Sequence, residues 1–112
     1  MSDIIIGASS QEIAFSWGDA TPRIIYEMIT GLTLNGIKLI LFNEFDGVGA
    51  SLSLGVTGTP ELFMKTTEND PTKVGTYEVT PGYKFITTDT IRLFITPGSG
   101  ASKGNGVIVI EY

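Results

Sequence analysis

Apolar and polar residues alternate along most of this chain, in short runs that end in clusters of glycine, proline and other turn-forming residues. Residues 12–17 alternate in this way, which places Ile13, Phe15 and Trp17 on one face, and residues 50–55 repeat the pattern. Period-two alternation is typical of a strand with one buried face. The pattern therefore predicts half-buried β-strands.

The tripeptide Thr-Pro-Gly closes two of these runs, at residues 80–82 and 96–98. Proline presets φ for the first central position of a turn and glycine supplies φ > 0 at the next, so both tripeptides are predicted as turns. The β-branched run at residues 106–112 is uncharged until Glu111. Such a run aggregates when its edge is exposed, so we predict a central strand of the domain's own sheet.

Further strands are predicted over residues 23–30, 37–42, 62–64, 76–79, 83–87 and 90–96. The first of these also fits a helical spacing, but its bounds at Pro22 and Gly31 favour a strand. Asn35-Gly36 is predicted as a tight turn. About eight strands at this spacing are typical of a sandwich or jelly roll. We therefore predict an all-β protein, a single jelly-roll-like β-sandwich of antiparallel strands.

Residues 1–10 are predicted to form an extended N-terminal arm, and residues 11–112 the β-sandwich domain. The arm contains Ile4, Ile5 and Ile6. Burying an isoleucine side chain stabilises by roughly 1.5–3 kcal/mol, so three in succession call for a partner surface. A first strand packed on the body is the interpretation that we favour. The alternative is an arm that docks on a neighbouring subunit, which makes these isoleucines the candidate partner-binding residues.

Charge and composition exclude several classes of partner. The chain has 17% charged residues and a net charge of −5, and its 7 basic residues are scattered singly. Because no basic cluster is present to neutralise a run of phosphates, we expect no nucleic-acid partner. No apolar run approaches the ~20 residues that cross a bilayer, and the start lacks signal-peptide features. We expect no membrane partner, and synthesis in a cytoplasm.

The chain contains no cysteine and no histidine. Their absence removes the thiolate nucleophile, the commonest general base and the commonest transition-metal ligand, so we expect no cofactor and no zinc, copper or haem site. Glu27, Glu61 and Glu78 could serve as paired glycosidase carboxylates, but their spacing selects no pair. We therefore expect no catalytic residues and no enzyme activity.

Two acidic loops could supply oxygen ligands to calcium, with Asp46 beside Glu44 and Asp70 beside Glu68. Neither loop matches an EF-hand. Aspartate also caps turns with its own side chain, and this interpretation is favoured over a metal site.

Five aromatic residues could form a platform for sugar rings: Trp17, Tyr26, Tyr77, Tyr83 and Tyr112. The alternative is that these rings fill the core or its rim. Trp17 is in phase with the apolar face of its strand, so it is predicted to belong to the core.

The turns and short strands combine into a recognisable set of segments. They lie at residues 16–22, 45–47, 50–55, 69–71, 74–77, 81–83, 97–100, 106–109 and 111–112. This set resembles short virion proteins of tailed bacteriophages, and in size and acidity the chain is most similar to capsid decoration (cement) proteins.

The resemblance implies a non-enzymatic structural protein that coats the outer capsid surface and staples neighbouring capsid subunits. The implied partners are the major capsid protein and copies of the chain itself, in a virion assembled in the bacterial host cytoplasm. Ile4, Ile5 and Ile6 would help to anchor it on the shell. A tail, neck or baseplate-associated virion protein and a carbohydrate-binding module are the alternatives.

Overall fold

The computed structural model describes residues 9–112, so Ile4, Ile5 and Ile6 lie outside the described residues. This part of the chain forms ten strands and one short 3-10 turn at Thr66–Glu68. The strands are β1 (Ser10–Ser16), β2 (Arg23–Met28), β3 (Thr33–Leu34), β4 (Gly36–Asn43), β5 (Ser51–Val56), β6 (Thr59–Met64), β7 (Gly75–Val79), β8 (Tyr83–Lys84), β9 (Asp89–Thr96) and β10 (Asn105–Glu111). Within residues 9–112, no helix is long and apolar enough to cross a bilayer.

Two four-stranded antiparallel sheets make up the sandwich, in the orders β1-β10-β4-β7 and β2-β9-β5-β6. Apart from β3 and β8, the first strand pairs with the last, the second with the next to last, and so on inward. This nested pairing is the jelly-roll arrangement, and it confirms the predicted fold class. The count is ten rather than about eight because β3 and β8 form a separate two-stranded sheet.

The core lies between the two sheets and is built from the inward-facing alternate residues of each. Ile108 and Ile110 of β10 are fully buried, and they face Leu52 and Leu54 of β5 across the same core cluster. β10 pairs with β1 on one side and with β4 on the other. The prediction that the C-terminal run is a central strand is therefore confirmed.

The two Thr-Pro-Gly tripeptides place glycine at positive φ as predicted, since Gly82 and Gly98 have φ of +58° and +85°. Neither tripeptide closes a hydrogen-bonded turn, and each connects strands of different pairs. The prediction of a tight turn at Asn35-Gly36 is wrong, because β3 pairs with β8 rather than with β4. Gly36 instead begins β4, and the Asn35 N–H donates to the carbonyl of Glu111 at 2.8 Å. Asn35-Gly36 lies where the chain passes from the two-stranded sheet to the first sheet. This passage depends on pairing with β10, which is far away in the sequence.

Candidate interaction surface

The sandwich has two ends that β1 joins, and each carries exposed apolar side chains. The arm end lies at Ser9, directly before β1, and the N–H and C=O of Ser9 pair with Tyr112 at 2.9 Å. Ser10, the predicted last residue of the arm, already belongs to β1. The bulge end lies where β1 finishes, at Ser16, about 23 Å from Ser9 at ~3.3 Å per residue.

Phe42 lies on the outward face of β4, beside an irregularity in strand pairing at the bulge end. Gly106 of β10 pairs with Leu41, but Asn105 pairs with Asn43, so Phe42 has no partner in β10. One extra residue in β4 is a β-bulge, a device that re-aims a side chain. Phe42 is 55% exposed, because Leu41 faces the core and the alternation of β4 places Phe42 on the opposite face. The sequence does not locate the bulge beside it, because the bulge depends on a strand more than sixty positions away.

Gly106 makes this pairing possible. A Cβ built on Gly106 would lie 2.0 Å from the backbone oxygen of Ile40 and 3.1 Å from the Cα of Leu41. Any side chain larger than hydrogen would push β4 and β10 apart at this point. Glycine inside a strand pattern is a known sign of a close backbone approach, and it is the signal in the sequence that could have located the bulge.

A groove of about 350 Å³ runs beside Phe42 on the outer face of the first sheet. We call it the bulge groove, and its lining includes Ala14, Ser16, Arg23, Phe42, Asn105 and Val107. Val107 is paired with Ala14, so the two share the apolar floor. At the rim, Arg23 donates from Nη2 to the Ala14 carbonyl at 3.1 Å, and its Nε lies 3.3 Å from the Asp19 carboxylate. The groove has an apolar floor, with the Arg23–Asp19 ion pair at its rim.

Trp17 lines a neighbouring polar depression of about 310 Å³ that shares Ser16 and Asn105 with the bulge groove. It is 37% exposed, so the prediction that Trp17 belongs to the core is wrong. β1 ends at Ser16, and the Trp17 N–H donates to the carbonyl of Gly104 at 2.9 Å. Because β1 ends before Trp17, the alternation of the strand does not place the indole in the core.

Asp46 ties two loops of the bulge end together. Its carboxylate accepts the backbone N–H of Ser102 at 2.7 Å and of Lys103 at 3.1 Å, as well as the Ser102 hydroxyl. These hydrogen bonds lower the pKa of Asp46 to about 2, and the bond from the Ser102 hydroxyl has the largest effect. The neighbouring hydroxyl and N–H of Thr72 likewise lower the pKa of Asp70.

Both aspartates therefore hold loop backbone, as the capping interpretation predicted. In the described part of the chain, no three acidic side chains come together as a group that could hold a metal ion.

The five aromatic candidates are not gathered into one platform. Tyr26 and Tyr112 stack with ring centroids 5.3 Å apart, and their hydroxyls are 2.8 Å apart. Tyr77 donates its hydroxyl to backbone carbonyls of the preceding loop. Tyr83 packs edge-on against Phe63 at 5.3 Å. Each ring has its own local contacts, and Trp17 borders the polar depression described above.

The three glutamate candidates lie on three different edge strands. Glu27 is on β2 and Glu61 on β6, the two outer strands of the second sheet, whereas Glu78 is on β7 of the first sheet. Glu61 accepts the backbone N–H of Thr66 at 2.7 Å, and the Glu78 carboxylate lies 3.9 Å from the Lys38 ammonium group. The fold does not bring them together as a pair.

At the arm end, the exposed apolar side chains lie on loops. Ile29 is 57% exposed and Ile86 is 78% exposed. The loops are joined, because the Gly31 N–H donates to Phe85 at 2.7 Å and the Phe85 N–H donates to Leu32 at 2.8 Å. The chain enters the sandwich at this end, directly after the isoleucine-bearing segment.

No protein-family model and no curated protein sequence matches this chain significantly. Among solved structures, the chain is similar to one from the capsid asymmetric unit of cyanophage Pam1, with a TM-score of 0.74. The two are 11% identical, and the alignment covers 100% of this chain and 89% of that chain. The likeness shows a shared fold that extends over the whole jelly roll.

Proposed function

We propose that this protein is a non-enzymatic structural protein of a phage virion, which decorates the outer capsid surface and staples neighbouring capsid subunits. The observation that carries the proposal is the likeness of the entire chain to a chain of the cyanophage Pam1 capsid asymmetric unit. Because one fold can host many functions, the surface of the molecule must support the role independently.

The distribution of exposed apolar side chains gives that support. Ile29 and Ile86 lie at the arm end, whereas Phe42 and Val48 lie at the bulge end. A protein that bridges two subunits needs two separate contact surfaces, each depleted of charge at its centre. Once the first contact is made, the second becomes effectively intramolecular, so two modest surfaces suffice for tight attachment.

The proposed partners are the major capsid protein and copies of this chain, on the surface of a virion assembled in the host cytoplasm. Ile4, Ile5 and Ile6 are the proposed partner-binding residues of the arm. They lie only a few positions before Ser9, which is at the end of the sandwich that also exposes Ile29. No catalytic, metal-binding or cofactor role is proposed for any residue.

The first experiment is to sediment particles from the source and to quantify this chain in the particle band by mass spectrometry. Hundreds of copies per particle, removable without loss of the tail, are the expected result for a shell-coating protein. A small ring-sized copy number would replace decoration by a tail, neck or baseplate role. Absence from the band would overturn the virion proposal and leave saccharide binding, which the exposure of Trp17 favours.

A further inference from the structure

The bulge groove presents apolar surface that nothing in the described structure covers. Phe42 forms one wall, and Val107 and Ala14 form the floor. Ala14 and Phe42 are both exposed, and Val107 is half-buried. Apolar surface of this kind gains free energy when it is removed from water, in proportion to the area buried. The groove is therefore suited to an apolar segment in extended form.

The sequence of the arm complements the groove in both polarity and charge. Asp3 directly precedes the three isoleucines. Arg23 at the rim of the groove is already paired with Asp19, whereas Lys103 lines the adjoining depression. Among residues 9–112, no carboxylate lies within ion-pair distance of Lys103. An acidic residue followed by apolar ones therefore matches the Lys103 ammonium group beside an apolar floor, an arrangement that favours one register of docking.

The arm cannot place its isoleucines against Phe42 of its own sandwich. Ile4 is five residues from Ser9, so it reaches at most about 17 Å from that point. Ser16, which is level across the first sheet with Asn43, the residue next to Phe42, lies about 23 Å from the start of the arm end along β1. A chain that doubles back also needs at least two residues for the turn, which shortens its reach further. Only the arm of another copy can bring its isoleucines against Phe42.

We propose that residues 3–6 of one copy dock in the bulge groove of a second copy, with the isoleucines against Phe42 and Asp3 toward Lys103. The donor leaves from the arm end and the acceptor lies at the bulge end, so the contact is head-to-tail. A contact of this type forms rings when its rotation closes and longer assemblies when it does not. This self-association goes beyond the virion role and does not depend on it.

The test is sedimentation velocity on the full chain and on two variants, each of which lacks one side of the contact. One variant lacks residues 2–8, and the other carries Phe42→Ser. The full chain should form concentration-dependent oligomers, and each variant alone should associate at least about tenfold more weakly, as expected for loss of an apolar anchor. An equimolar mixture should form a heterodimer and nothing larger, because it retains one intact arm and one intact groove.

Ile24→Ser is the matched control, since Ile24 is 58% exposed and Phe42 is 55% exposed, but Ile24 lies on the second sheet. The control should assemble like the full chain. Near-UV circular dichroism checks that each variant is folded, and the arm deletion tests the contact even where the groove variant fails that check. A full chain that stays monomeric, folded variants that still assemble, or a mixture that yields no heterodimer would each overturn the proposal. The number of copies on particles is measured in a separate experiment. Absence of this chain from particles would therefore not change the conclusion about self-association.

Discussion

The two ends of this sandwich expose apolar side chains by different physical means. At the arm end, Ile29 and Ile86 are exposed because they lie on loops, outside any strand alternation. At the bulge end, Phe42 is exposed although it lies within β4, because it is on the outward face of the strand, and the slip in pairing leaves it without a partner in β10. Both exposures follow from local sequence. The missing partner of Phe42 depends on two strands that meet only in the folded chain.

The ends also differ in how their loops are held. The loops of the arm end are joined by backbone hydrogen bonds between Gly31, Leu32 and Phe85. Those of the bulge end are joined by the backbone pair of Val48 and Ser99 and, in addition, by the ionised side chain of Asp46 in one loop, which binds backbone N–H groups of the other. The ionised side chain implies that the bulge end responds to acid more strongly than the arm end does.

The largest effect is expected from removing the strand that links both ends. Deleting residues 107–112 takes away most of β10, including the fully buried Ile108 and Ile110, and leaves β1 and β4 without their shared partner. Each lost aliphatic side chain alone is worth about 2–5 kcal/mol, of the same order as the whole stability of a small domain. We expect no soluble folded protein. A deletion variant with a native-like near-UV circular dichroism spectrum would contradict this.

A smaller change tests the bulge end alone. Gly106→Ala should lower the free energy of unfolding by about 1–3 kcal/mol, because the added methyl group meets the Ile40 carbonyl and no flexible side chain can yield. Gly18→Ala is the control, since a Cβ there meets nothing within 4 Å. Urea unfolding measures both variants. Equal stability of the two would show that the strands absorb the methyl group without strain.

The smallest effect concerns the acid response of the loops. The pKa of Asp46 is about 2 in the folded protein against an ordinary value of 3.8, so its carboxylate stabilises the fold above about pH 4 and loses that contribution toward pH 2. Asp46→Asn should be less stable than the parent chain at neutral pH, with a difference that vanishes near pH 2. The side chain is exposed, so the difference is small.

Urea midpoints of Asp46→Asn and of the parent chain, measured between pH 7 and pH 2, would show whether their difference in stability disappears. Glu44→Gln serves as the control, because the Glu44 side chain makes no hydrogen bond within the described residues. A pH-independent gap between Asp46→Asn and the parent chain would show that the loop depends on the shape of the side chain rather than on its charge.

Much of the fold could be predicted from sequence because its signals are local. Alternation marked β1 and β5, and the Thr-Pro-Gly tripeptides placed glycine at positive φ, as Gly82 and Gly98 show. The site was harder to predict. Trp17 continues the alternation of β1 but lies beyond its last residue, and alternation alone does not show where a strand ends.

Taken by itself, the sequence determined the all-β class, the central position of the C-terminal run and the lack of histidine and cysteine chemistry. Those properties follow from side-chain period, turn residues and composition, which neighbouring positions encode. Only the tertiary structure decided that Asn105 pairs with Asn43 and leaves Phe42 unpaired. It also decided that Asp46 finds its partner at Ser102, 56 residues away. Strand register and loop partners depend on which distant segments meet, and the packing of the two sheets settles that choice.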